Sequence, residues 1–182
     1  MGYAGGDSAD PTYRSIGDHT ECFQVDFDST VVSYEALLER ALDLHDPTRP
    51  AFKVQYASLV LAHDDAQLAT ARAVAKRVET RLGRRLATRI EPLKRFNLAE
   101  DYHQKYHLRN DRVLMKDFRA MLPDDVGLRE SPAAARANGY VAGDGTRTQL
   151  AAEIDLLGLS EAGRACLLSR VLGDTFSGGC SV

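Results

Sequence analysis

The stretch from 54 to 93 constrains the fold more than any other. VQYASLVLA (54–62) is a largely apolar, β-favouring run of strand length. DDAQLATARAVAKRVETRL (64–82) follows, with Leu68, Ala71, Ala75, Val78 and Leu82 at helical spacing. Asp64 is placed to cap this helix, with Gln67 three residues on in capping-box position, and Gly83 stops it. LATRIEPL (86–93) then reads as a second short strand. A strand, a long amphipathic helix and a strand in succession exclude an all-β sandwich and a plain helical bundle.

The flanks extend this pattern. In CFQVDFD (22–28) Phe23, Val25 and Phe27 alternate, which predicts a half-buried strand. SYEALLERALDL (33–44) predicts a helix capped by Ser33, and HDPTRP breaks it. AEDYHQKYHLR (99–109) and VLMKDFRAML (113–122) read as two more helices. Residues 123–146 shift towards Pro, Gly, Asp and Ala, which suggests an irregular connector with a helical turn available at 131–138. QLAAEIDLLGLSEAGRACLLSRVLG (149–173) splits at Gly158 into a helical hairpin with Ser160 capping its second arm. The organisation expected is an α+β domain over 1–122, a connector over 123–146, and over 147–182 a helical hairpin with a glycine-rich, Cys-containing tail.

Composition excludes several classes. The 23 Lys and Arg nearly balance 26 Asp and Glu, so no broad nucleic-acid footprint is expected. No apolar run approaches the roughly 20 residues that span a bilayer, and no secretory signal opens the chain. The three cysteines, Cys22, Cys166 and Cys180, are odd in number and widely spaced. They form neither a disulfide framework nor a metal knuckle, and suit a reducing cytoplasm. His103 and His107 lie four apart near Glu100 and Asp101, but two histidines without a third ligand at a recognised spacing do not make a metal site. No phosphate-cradling glycine motif is present.

Four stretches in order, GYAGG…PTY (2–13), HTE (19–21) followed by a strand, HDPT…QY (45–56) and AEDYHQKY (99–106), resemble the peptide-methionine (S)-S-oxide reductases, the methionine sulfoxide reductase A family. The resemblance covers residues 2 to about 110 and leaves the C-terminal helices outside the core family pattern. It implies a two-layer sandwich with a mixed sheet, and thiol-dependent reduction of methionine S-sulfoxide, free or in proteins. By resemblance Glu21 is the acid that protonates the sulfoxide oxygen, a task near neutral pH that requires burial to raise a carboxyl pKa. Tyr13 and Tyr56 match the tyrosines whose hydroxyls hold the same oxygen; phenols donate without ionising at pH 7. Taken alone, each is an ordinary surface carboxylate or an amphipathic rim residue, and only their co-occurrence in the family's motifs gives them these roles. The resemblance further implies no metal or organic cofactor, thioredoxin or another thiol as reductant, and a cytoplasmic monomer.

Departures from the family pattern carry expectations of their own. The spacer before Glu21 is short, Asp18 replaces a glycine, and no aspartate matches that of the family's QGND-like loop. The family's Gly-Cys-Phe-Trp nucleophile motif is missing, and the chain contains no Trp. Met1-Gly2-Tyr3 stands where members read Val-Gly-Tyr or Ala-Gly-Tyr, so a GTG valine codon read as a start is expected, with the nucleophilic Cys or selenocysteine upstream. Cys22 should point away from Glu21 on an alternating strand. Cys166 reads as a helix core residue, and Cys180 in GGCSV is the candidate resolving thiol. Two rival readings stay open: a non-catalytic sulfoxide-binding module or inactive fragment of the family, and a scaffold whose C-terminal helices dock a partner.

Overall fold

The computed structural model describes residues 1–172, which divide into two compact units, Met1–Glu100 and the residues from Asp101 onward. In the first unit, β1 (Gly2–Ala4) is the middle strand of an antiparallel sheet, between β2 (Thr20–Cys22) and β5 (Phe96–Leu98). Its register sets Tyr3 opposite both Glu21 and Asn97. A second sheet pairs β3 (Leu59–Ala62) in parallel with β4 (Arg89–Pro92). Parallel neighbours need a crossover, here α2 (Asp65–Leu82). The class is α+β as expected, but the two pairing senses occupy separate small sheets.

Helix α2 starts at Asp64, whose side chain accepts from the Gln67 amide. The Gln67 side chain reaches back to the His63 amide rather than to that of Asp64, so the box closes one residue early. Its buried face is Ala71, Val74 and Val78, rotated from the expected stripe, and Leu82 is exposed. This face packs on Leu38 and Leu42 of α1 (Tyr34–Asp43), capped by Ser33 as expected.

Two strand expectations are corrected. The expected strand at 22–28 ends at Cys22, because the register with β1 runs out at Gly2 and no other described strand pairs beyond it. Phe23 and Val25 are consequently exposed. Residues 54–62 split into a 3₁₀ turn at Val54–Tyr56 and β3, the turn closed by Tyr56 and Ala57 amides donating to the Lys53 and Val54 carbonyls. The turn takes the polar groups that a ladder would have used.

In the second unit the expected helix at 99–109 is broken at Lys105, whose φ of +54° lies in the left-handed region. A 3₁₀ turn at Asp101–His103 precedes it and α3 (Tyr106–Arg109) follows. The expected connector holds α5 (Asp125–Glu130) and α6 (Pro132–Ala142), after α4 (Arg112–Met121). Its Asp, Ser and Pro act as cap residues: Asp124 accepts from the Gly127 amide, Ser131 from that of Ala134, and Pro132 sits in the first turn. The hairpin is α7 (Arg147–Glu153) and α8 (Glu161–Leu172), turned at Gly158 with φ +70° and capped at Ser160. This unit has its own core, centred on Leu114, Phe118, Leu128, Leu150 and Leu167.

Candidate active site

Cross-strand partners in an antiparallel sheet share a face, so Tyr3, Glu21 and Asn97 project together from the β2-β1-β5 sheet. Tyr3 is 2% exposed, and its hydroxyl donates to Glu100 Oε2 at 2.7 Å. The other Glu100 oxygen accepts the Tyr13 backbone N–H at 3.1 Å. One carboxylate therefore fastens the loop bearing Tyr13 to the central strand.

Glu21 is half-buried on the edge strand β2. Its Oε1 accepts from Gln55 Nε2 at 2.5 Å, while Thr20 on the same strand donates its hydroxyl to the Val54 carbonyl at 2.8 Å. Two adjacent β2 residues thus bolt down the 3₁₀ turn whose last residue is Tyr56. Tyr13 and Tyr56 are 45% and 50% exposed, so their phenols reach solvent where a ligand can meet them. Phe52 lies against Tyr56, ring centroids 5.5 Å apart, and is itself largely exposed.

The loop between β1 and β2 is built by Asp18 and His19. Asp18 accepts from the Ser8 hydroxyl and from the Asp7 and Ser8 amides, which hold its carboxyl well below the usual carboxylate range. A side chain at Gly6 would meet Asp18 Oδ1 at 2.4 Å, and Gly5, with φ +82°, makes the turn out of β1. His19, 2% exposed, accepts from the Gly6 amide at Nδ1 and donates from Nε2 to the Ser8 carbonyl, the pattern of the neutral ring.

Cys22 lies one residue beyond the acid, on the opposite face as alternation requires. Burial pushes its thiol pKa up, the reverse of what a nucleophilic cysteine needs. Cys166 is buried in the helical core, and Cys180 lies outside the described residues. No group of three or more His, Cys, Asp or Glu that could hold a metal ion occurs among the described residues, and no described helix is long and apolar enough to cross a membrane.

Gln55 carries no role in the sequence reading, whereas EDYHQKY, which holds Glu100, reads by resemblance as a positioning segment and Asp18 as a residue that could compensate for the missing loop aspartate. Gln55 and Glu100 fall within the QY and AEDYHQKY motifs, and that position is the signal the sequence offers for them. Neither residue type announces a positioning role by itself.

Glu21 on the edge strand is thus tied through Gln55 to the turn that ends in Tyr56, and Tyr13 and Tyr56 are both substantially exposed. The family model for peptide methionine sulfoxide reductase matches residues 1–126, and the chain belongs to that family of oxidoreductases. A peptide methionine sulfoxide reductase of Drosophila melanogaster is 40% identical over 167 residues, covering 90% of this chain and 66% of its own length. That match runs past residue 126, so the C-terminal helices, expected outside the family pattern, are partly shared with this relative. The Haloquadratum walsbyi reductase is 40% identical over 118 residues, 60% of this chain and 68% of its own. Methionine sulfoxide reductase A of Corynebacterium diphtheriae superposes with a TM-score of 0.54 at 31% identity, over 60% of this chain and 61% of that one. Reduced Mxr1 from Saccharomyces cerevisiae gives 0.53 at 30% identity, over 61% and 70%. The chain thus spans about two thirds of the length of these two curated relatives.

Proposed function

We propose that this protein reduces methionine S-sulfoxide, free or in proteins, to methionine, with Glu21 as proton donor and Tyr13 and Tyr56 holding the sulfoxide oxygen. The observation that carries the reading is the Gln55–Glu21 contact, which ties the acid to the turn bearing Tyr56. Family membership supplies the chemistry. A thiolate attacks the sulfoxide sulfur, and the S–O bond breaks as the oxygen, protonated by the acid, passes to the attacking sulfur. The products are methionine and a sulfenic acid. A second thiol condenses with the sulfenic acid, releasing water and forming a disulfide, which an external dithiol then reduces.

The nucleophile in this reading is a cysteine thiolate or selenolate, a part assigned to neither Cys22 nor Cys166. The raised thiol pKa of Cys22 and its place on the far face from Glu21 support assigning it no such part. Cys180 is the proposed resolving thiol, thioredoxin or another thiol the reductant, and the cytoplasm the setting, with the protein acting as a monomer.

The test is Glu21→Gln in the native full-length protein, assayed on N-acetylmethionine S-sulfoxide with dithiothreitol. Loss of a general acid should slow turnover by about 10²–10⁴-fold. Turnover within a few-fold of wild type would remove Glu21 from the mechanism.

A further inference from the structure

The two oxygens of Glu21 stand in different surroundings. Oε1 accepts the Gln55 amide N–H at 2.5 Å, whereas no hydrogen bond to Oε2 is made among the described residues. Gln55 is held from both sides: Thr20 grips the carbonyl of Val54 before it, and the Tyr56 amide after it donates to Lys53. The hydroxyl oxygen of a carboxylic acid is a poorer acceptor than its carbonyl oxygen, so the oxygen that takes an N–H bond is favoured as the carbonyl. Protonation of Glu21 at Oε1 would leave the Gln55 N–H on the poorer acceptor, whereas protonation at Oε2 keeps that bond at full strength.

We infer that Gln55 is a positioning residue that decides which oxygen of Glu21 carries the transferable proton, making Oε1 the carbonyl and Oε2 the acid hydroxyl. The inference rests on reading Glu21 as the acid. Gln55 touches neither substrate nor reacting atoms, and acts by fixing the rotation of the carboxyl group and the side from which its proton leaves. An acid free to rotate, or protonated on the wrong oxygen, presents the proton productively only part of the time. The loss falls on the chemical step and spares binding.

Two variants test this, each checked for an unchanged thermal unfolding midpoint. Gln55→Leu keeps the bulk but removes the donor: kcat should fall by about 10–100-fold while KM stays within about threefold. Gln55→Glu supplies a donor only when its own carboxyl is protonated. Its rate relative to wild type should therefore be lowest near pH 8 and recover towards pH 5, approaching the carboxyl range. A purely structural role would instead give Gln55→Leu and Gln55→Glu the same deficit at every pH. A second readout needs no turnover: in the infrared, the carbonyl stretch of protonated Glu21, assigned by its absence in Glu21→Gln, should move to higher wavenumber in Gln55→Leu as the carbonyl loses its donor. An unmoved band, a normal kcat in Gln55→Leu, or a flat pH ratio in Gln55→Glu would overturn the inference. A wild type without activity, together with a band that moves in Gln55→Leu, would refute the reductase reading and leave the hold of Gln55 on the carboxyl standing.

Discussion

Asp18 shows how much of this site is set by single side chains. Three donors converge on its carboxylate, the Ser8 hydroxyl foremost, so protonation must break bonds that the folded state makes. A carboxyl whose folded pKa lies below its unfolded value adds stability that is present in full above the unfolded pKa, about 3.9 for Asp. That stability is lost as pH falls towards the depressed value. Wild type should unfold at a higher temperature than Asp18→Asn at pH 6, and the gap should close as the pH is lowered through roughly 4 to 2. A gap unchanged down to pH 2 would show that the carboxylate charge contributes nothing. At this scale Glu21, Tyr13 and Tyr56 were legible only through their motifs, since a surface carboxylate and two amphipathic tyrosines carry no signal alone. The partners of Gln55 and Glu100 were not legible, because they meet only in the fold: Gln55 donates to Glu21 and Glu100 accepts from Tyr3, residues distant in the chain.

At the scale of elements, helices were read well and strands less so, for a physical reason. Helix signals are local: Ser33, Asp64 and Ser160 cap the helices they were expected to cap. A strand needs a partner from elsewhere in the chain, and the alternation of Phe23, Val25 and Phe27 cannot show that β1 stops pairing at Cys22. Pro, Gly and Asp between 123 and 146 looked like loop chemistry and prove to be the punctuation of α5 and α6. The element that matters most to the site is the three-residue turn at Val54–Tyr56, anchored to β2 through the 2%-exposed Thr20. Thr20→Val retains the shape but removes one of the two donors to the Val54 carbonyl, the Ala57 amide remaining, and should cost about 0.5–1.5 kcal/mol in denaturant unfolding. Turnover should fall with it as the turn loosens beneath Gln55 and Tyr56. Unchanged stability would mean that the turn is held by other contacts.

At the scale of the whole molecule, the first unit carries every described residue assigned to the chemistry, and the second contributes a separate helical core. The family model ends at residue 126, inside that helical unit, while the Drosophila relative aligns with 90% of the chain. The class of fold was legible from the strand–helix–strand pattern at 54–93; the division at Glu100 was not, because no composition shift marks it. The central claim is that Glu21, Tyr13 and Tyr56 together receive a sulfoxide oxygen. It is tested most directly by nuclear magnetic resonance on protein carrying ¹³C-labelled Glu and Tyr, titrated separately with the S and R epimers of N-acetylmethionine sulfoxide and with N-acetylmethionine. The account predicts that the S epimer shifts the Glu21 carboxyl signal and the ring signals of both tyrosines along one saturable curve, and that the sulfide, lacking the oxygen, does not. Equal responses to the sulfide, or saturable shifts that leave these three residues unmoved, would contradict it.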